Sequence, residues 1–272
     1  MASITGLQQY MLADSRVMEK VYSDLTRDYY ASADWSIPFY VSQAVRGFIA
    51  VGHVTAEGHE LLLPQIQRSY CVMDLANVPK HKSLLKQIRR GGYRLKFNCA
   101  FSKVFAAIHE YHGSGKSWLC PAYQHLCKQM HAKGPIRLSG IPDLPEVSFR
   151  LVSVELYSVE GELVAGEIGY VVGASFTSLS GFCVRAKTCS VGKMQIFAMA
   201  HFLARCGFEF LNLGQPPMDG VMQYKSDLGG VDVSRETFLR DWWRPAIGKP
   251  NPTLDSGVDV DLVSLFGDTP GA

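Results

Sequence analysis

From Leu151 to Tyr157 apolar and polar residues alternate, as on a strand buried on one face. Glu160-Gly161 turns the chain, and Leu163 to Val172 continues as a longer strand; Gly173-Ala174 turns it again, and Phe176 to Val184 forms a third. After Ser190 the period changes. Met194, Phe197, Ala198, His201, Phe202 and Arg205 follow helical spacing, with Gly207 where a helix C-cap belongs. Phe208 to Leu213 then reads as a short buried strand. Upstream, residues 1 to about 30 predict helix, with Leu7, Tyr10, Met11, Met18, Val21, Tyr22 and Leu25 on a broad apolar face. Phe39 to Val54 holds a short strand or helix and a bend. Lys80 to Lys96 has an amphipathic centre at Leu84, Leu85 and Ile88, and Ala100 to Tyr111 predicts a second helix. Pro121 opens a third, Ala122 to Lys133, in the first-turn position that proline favours. Residues 134–148 carry three prolines and predict a loop; 249–272, rich in Pro, Gly and Asp, predict a mobile or loosely docked tail.

Three antiparallel strands, a helix and one further strand give the element order of the N-acetyltransferase (GNAT-like) fold. The expected class is α/β (α+β), with a mixed, mostly antiparallel sheet and flanking helices. Three segments are expected: a small N-terminal domain over 1–78, the transferase-like domain over 79–248, and the tail over 249–272. Composition narrows the setting. With 47% hydrophobic and 19% charged residues the chain is ordinary for a globular protein. A net charge of +2 gives no broad nucleic-acid signature, so any RNA contact must be a local patch. Seven cysteines without paired spacing predict free thiols in a reducing compartment. No run approaches the roughly 20 apolar residues of a membrane span, and Asp14, Glu19 and Asp24 argue against a targeting peptide, so the cytoplasm is expected.

Several stretches carry candidate chemistry. Lys80, Lys82, Lys86, Arg89, Arg90, Arg94 and Lys96 have no acid among them: a solvated helix face or a rail for phosphates. The Gly-Ser-Gly-Lys-Ser string at 113–117 is not a phosphate-binding loop, because Glu110 stands where a glycine is required. Cys120, His125, Cys127 and His131 do not converge as metal ligands; only Cys127 and His131 share a helix face. No Ser/His/Asp or Cys/His arrangement suggests a nucleophile. Unpaired amides around Ser190 to Lys193 are able to hold an anion at a helix start.

One resemblance joins these stretches. The run Gly161 to Gly166, then Gly169, Gly173, Phe176 and Lys193, resembles the leucyl/phenylalanyl-tRNA–protein transferase family. So, in the same order, do Tyr93-Arg94-Leu95, Ala100-Phe101, Ser117 to Pro121, His131 to Gly134 and Tyr224 to Gly230, within roughly residues 40 to 240. The resemblance implies two partners, an aminoacyl-tRNA as donor and a protein N-terminus as acceptor, with no cofactor and no membrane. A large apolar aminoacyl group would pass to that amine and mark the protein for degradation. By position, Trp118 would meet the terminal adenosine, with packing as the bland alternative. Ile168, Phe176, Leu179, Phe182 and Leu211 would line the aminoacyl pocket, or else be plain core. Lys193 would bind substrate, and Lys82, Lys86, Arg89 and Arg90 would contact tRNA phosphates. Asn212 and Gln215 would stand at the catalytic end of the last core strand.

The chain departs from the family pattern in three places. Leu62 and Leu63 replace a tryptophan pair, Leu179 replaces a glutamate, and Asn212-Leu213-Gly214 replaces Asp-Cys-Gln. Glu155 and Glu167 are the nearest acids, and strand parity is expected to turn them outward. Two other functions stay open. One is an acyl-coenzyme A N-acyltransferase, against which the absent pyrophosphate loop in Arg185 to Lys193 counts. The other is a non-catalytic binding protein on the same fold, which the departures favour.

Overall fold

A computed structural model describes residues 5–113, 118–184, 190–218, 222–254 and 257–267. The elements used below are α1 (Ser15–Ser23), α2 (Ile37–Val45), β1 (Ile49–Val54), β2 (Glu60–Gln65), β3 (Ser69–Asp74), α3 (Lys82–Gly91), β4 (Arg94–Phe97), α4 (Phe101–His112), α5 (Pro121–Lys133), β5 (Ile136–Leu138), β6 (Val147–Tyr157), β7 (Leu163–Val172), β8 (Ser175–Cys183), α6 (Val191–Arg205), β9 (Phe210–Asn212), α7 (Tyr224–Asp227), β10 (Val231–Ser234), β11 (Val258–Asp261) and α8 (Leu262–Gly267).

One nine-stranded sheet dominates, in the order β10-β3-β9-β8-β7-β6-β4-β11, with β5 also on β6. Every neighbour is antiparallel except β8 and β9, which run parallel because α6 connects them. The β6-β7-β8 meander and the β8-α6-β9 unit follow the sequence expectation. This is a mixed α/β fold of the N-acetyltransferase type, and it is mostly antiparallel.

Helices cover both faces, so the central strands are buried on both sides rather than alternating buried and solvated positions. On one face α2, α4 and α5 pack over Phe149, Leu151, Ile168 and Tyr170. On the other, α3, α6 and α8 pack over Val152, Val154, Ala165, Val171, Phe176 and Leu211. The β7-β8 hairpin turns at Gly173, whose φ of +55° suits glycine; a Cβ there would lie 2.1 Å from the Ala246 carbonyl.

Four expectations change. Residues 9–23 hold two short helices, since Asp14 caps the second by accepting from the Arg16 and Val17 amides and thereby ends the first. The 134–148 loop contains β5. The boundary at 78 does not separate two cores. β3 is a strand of the large sheet, and Leu7, Phe39, Tyr40 and Phe48 share one apolar cluster with Phe105, Tyr170 and Trp243. A buried ion fastens the same junction: the Arg235 guanidinium, 1% exposed, donates to the carbonyls of Gln67, Asp24 and Ile66 and meets Asp28.

The mobile tail is the fourth correction. β11 pairs with β4 from Val258 to Asp261, and Leu262, Leu265 and Phe266 are buried against α3 and α6. Alternating Val258 and Val260, paired with Phe97 and Leu95, close a sheet edge that composition alone reads as polar. Asp259 also ion-pairs with Arg94 and Lys96, so those two cations leave the basic run.

Candidate active site

The site follows from where a ladder stops. β8 and β9 pair from Ser175-Phe210 to Thr177-Asn212, and there β9 ends, while β8 continues to Cys183 with β7 alone beside it. The result is an open parallel seam. The first turn of α6 lies over one side of it: a Cβ on Gly192 would be 3.2 Å from the Cys183 Sγ. Lys193 ion-pairs with Asp227 at 2.8 Å and ties α6 to α7 across the seam.

Leu179 is a bulge in β8, between Ser178 (opposite Gly169) and Ser180 (opposite Ile168). One extra residue reverses the side-chain parity of everything after it. Phe176 lies on the α6 face with Leu211, whereas Ile168, Leu179 and Phe182 pack in the opposite cluster, with Phe182 against Val104. The five expected pocket residues are therefore divided by the sheet and do not line one cavity. What the bulge does bring to the α6 face is Gly181, directly opposite Glu167.

Glu167 and Glu155 do not turn outward; they are 4% and 0% exposed. Glu155 is satisfied, accepting from the Cys99 and Ala100 amides at the start of α4 and from the Ser153 hydroxyl. Glu167 is not, since its Oε1 is buried without a partner. Burial pushes its carboxyl from the usual 4.5 up to about 7, against the opposing effects of a Ser178 hydroxyl bond and the Lys225 charge. Lys225, 6% exposed, donates to the carbonyls of Leu213 and Gln215, both at 2.7 Å. Burial lowers the pKa of its ammonium. Tyr224 is raised to about 12 by burial, with Glu167 the largest charge acting on it. An ammonium thus stands at the end of β9 and a carboxyl lies deeper under α6.

Sequence reasoning missed Lys225, although it sits inside the Tyr224 to Gly230 stretch. Glu167 carried a local signal of its own, a carboxylate between Gly166 and Ile168 of an apolar strand.

The remaining candidates are distributed as follows. Asn212 is buried, and its Oδ1 accepts from the Gly214 amide at 2.9 Å, turning the chain at the strand end. Gln215 is exposed beside it, with Nε2 3.8 Å from the Met218 sulfur. Trp118 is half-buried edge-on to Tyr123, and its carbonyl accepts from Gly52 of β1, away from the α6 face. Lys82, Lys86, Arg89 and Arg90 project from α3 into solvent, opposite the buried Leu84 and Ile88, and among the described residues none of the four has an ion-pair partner. Residues 114–117 and 185–189 of the glycine-rich string and the pyrophosphate-loop comparison lie outside the described residues. Cys127 is buried and His131 stacks on Phe101 at 4.0 Å. Among the described residues no three or more His, Cys, Asp or Glu gather as for a metal ion, and no helix is long and apolar enough to cross a membrane.

A meander, a parallel seam and a helix starting over that seam define the topology around the opening between β8 and β9. The model of the family described as leucyl/phenylalanyl-tRNA protein transferase matches residues 72–242, and the chain belongs to that family. Proteins named leucyl/phenylalanyl-tRNA–protein transferase from Yersinia pestis (strain Pestoides F) and Yersinia pseudotuberculosis (serotype O:1b, strain IP 31758) are each 28% identical over 159 residues, 58% of this chain. The chain spans 57% of the length of these relatives. Among solved structures, L-PGS from Bacillus licheniformis aligns with a TM-score of 0.43 at 11% identity, over 80% of this chain and 62% of that one. A probable N-acyltransferase from Enterococcus faecalis V583 aligns with a TM-score of 0.34 at 12% identity, over 80% and 47%.

Proposed function

We propose that this protein transfers an aminoacyl group from an aminoacyl-tRNA to the N-terminal amine of a protein. Family membership supports this reaction class, and the observation that carries the reading is the open β8-β9 seam with the Lys225 ammonium at its mouth. The donor is an activated ester. A neutral α-amine attacks its carbonyl, the amide C–N bond forms, the ester C–O bond breaks, and the tRNA 3′-hydroxyl leaves with a proton that the amine gives up. Such a reaction needs placement and stabilisation of the oxyanion rather than a side-chain nucleophile. Lys225 already satisfies two carbonyls and has a third N–H for the developing charge. Asn212 shapes the strand end, and Gln215 supplies an exposed amide at the rim. The solvent-exposed cations of α3 suit tRNA phosphates without reading bases. No cofactor enters the scheme. A donor supplied by translation implies the cytoplasm, and the modified N-terminus would mark the acceptor for degradation.

Asn212, with its Oδ1 spent on Gly214, favours one rival, a binding protein without catalysis. Labelled aminoacyl-tRNAs and acetyl-coenzyme A, each incubated with peptides beginning in Arg, Lys, Asp and Ala, separate the readings. Label reaching a peptide from tRNA supports transfer. Label from acetyl-coenzyme A alone identifies an N-acyltransferase, and label from neither leaves binding.

A further inference from the structure

A cavity of about 330 Å³ borders the apolar cluster of the α2 face, across the sheet from α6. α1 forms one wall of it, because Ser15, Met18, Glu19 and Tyr22 recur at helical spacing and share a face. The floor is Met18, Val45, Leu239, Trp243 and Ile247, and the Trp243 indole is fixed by donating to the Val45 carbonyl at 2.8 Å. The 143–145 loop supplies a further wall, tied to α1 by the Ser15 hydroxyl, which donates to the Asp143 carboxylate. The volume stands at the lower end of the roughly 300–1,000 Å³ of small-molecule sites, which suits a ligand the size of one amino acid.

The charges around this cavity distinguish it from a packing defect. Arg46 is 6% exposed and is anchored by neutral groups: Nε donates to the Leu12 carbonyl at 2.9 Å and Nη2 to the Pro142 carbonyl at 3.2 Å. It makes no ion pair among the described residues, whereas Arg235, the other buried arginine among them, meets Asp28. A buried guanidinium without a counter-ion is costly to keep. Arg244 brings a second guanidinium to the same cavity, exposed and likewise without an ion pair among the described residues. The two converge on Tyr22, whose hydroxyl donates to the Arg46 carbonyl at 2.9 Å. Burial pushes the Tyr22 pKa up to about 12, while the charges of both arginines act in the opposite direction. Two exposed carboxylates, Glu19 and Asp143, line the cavity as well, and neither pairs with an arginine among the described residues. Two charges of each sign therefore border an apolar floor without neutralising one another.

We propose that this cavity binds a free α-amino acid with a large apolar side chain, as the zwitterion. Its carboxylate goes to Arg46 and Arg244, in the forked geometry that guanidinium groups favour. Its ammonium goes to Glu19, since Asp143 is engaged by Ser15. Its side chain lies on Met18, Leu239 and Trp243. A charged side chain would enter that floor unpaired and glycine would leave it bare, so the floor rejects both. The site is separate from the β8-β9 seam, and the inference does not rest on the transfer reading.

Calorimetry on the full chain tests it, with L-leucine, L-phenylalanine, glycine and L-glutamate as ligands. Leucinamide and N-acetylleucine serve as analogues that each lack one charge. Leucine or phenylalanine should bind with a stoichiometry of one, and glycine and glutamate far more weakly. Loss of the carboxylate in leucinamide should weaken binding roughly 10- to 100-fold, as loss of a charged hydrogen bond requires. Arg244→Gln and Glu19→Gln alter exposed residues and should leave the circular dichroism spectrum unchanged. Each should weaken leucine several-fold. Glu19→Gln should leave N-acetylleucine unaffected, because that analogue has no ammonium to lose. Absence of leucine and phenylalanine binding at millimolar concentration overturns the inference. So does N-acetylleucine binding as tightly as leucine, or a leucine affinity unchanged in either variant.

Discussion

Replacing Arg235 with leucine tests whether the N-terminal segment and the sheet form one cooperative unit. Its guanidinium makes three short bonds, 2.7 to 2.8 Å, to the carbonyls of Ile66, Gln67 and Asp24. Longer contacts reach the carbonyls of Val21, Tyr22 and Arg27 and the Asp28 carboxylate. A charge-assisted bond contributes about 1.5–3 kcal/mol, so three treated separately would exceed the true loss. They share one ion whose own desolvation cost vanishes with it, which brings the expected destabilisation to about 3–5 kcal/mol. At this chain length each kcal/mol lowers Tm by about 2–4 °C, so a fall on the order of 10 °C is expected. Chemical denaturation followed by tryptophan fluorescence and by far-ultraviolet circular dichroism gives both the midpoint and its cooperativity. Arg235→Lys should recover part of the loss, since an ammonium offers three donors in place of five. A loss below about 1 kcal/mol, or a separate early transition for residues 7–66, would refute the single-core account.

Glu167 also sets a pH dependence. Its folded pKa of about 7 lies above the usual 4.5, so the folded state holds a proton that the unfolded chain releases, and stability falls as pH rises through that window. Glu167→Gln removes the penalty: its gain over the parent should be near zero at pH 4 and about 3 kcal/mol at pH 8, and equal gains at both would contradict the burial. Neutralising Lys82, Lys86, Arg89 and Arg90 together should reduce the salt slope of tRNA binding by up to about 4, measured by filter binding between low and moderate salt, whereas an unchanged slope removes α3 from the interface. Truncation after Gly257 uncovers the β4 edge and the ground beneath Leu262, Leu265 and Phe266. At about 1.5–3 kcal/mol per buried side chain the shortened protein should lose several kcal/mol, and an unchanged denaturation midpoint would return the segment to a loose tail.

Period and turn chemistry made the meander, α6 and β9 legible in the chain, because those signals are local: alternation between Leu151 and Tyr157, glycines at the turns, and a helical stripe from Met194 to Arg205. The basic α3 and its apolar underside were legible for the same reason. The family resemblance, rather than any local pattern, marked Asn212 and Gln215 at the end of the last core strand. The assembly of the site was not legible. A single extra residue at Leu179 moves Phe182 to the face opposite Phe176, and nothing in the local pattern around Ser178-Leu179-Ser180 announces it. The docking of β11 was equally hidden, since a short edge strand rich in aspartate looks like a tail until Arg94, Lys96 and the bare edge of β4 stand beside it. Lys225 and Glu167 show the division most directly. Their identities are in the sequence, but an ammonium held by the end of β9 and a carboxyl left without a partner beneath α6 exist only once strands far apart in the chain lie side by side, because burial and pairing are properties of the packed neighbourhood and not of the residue.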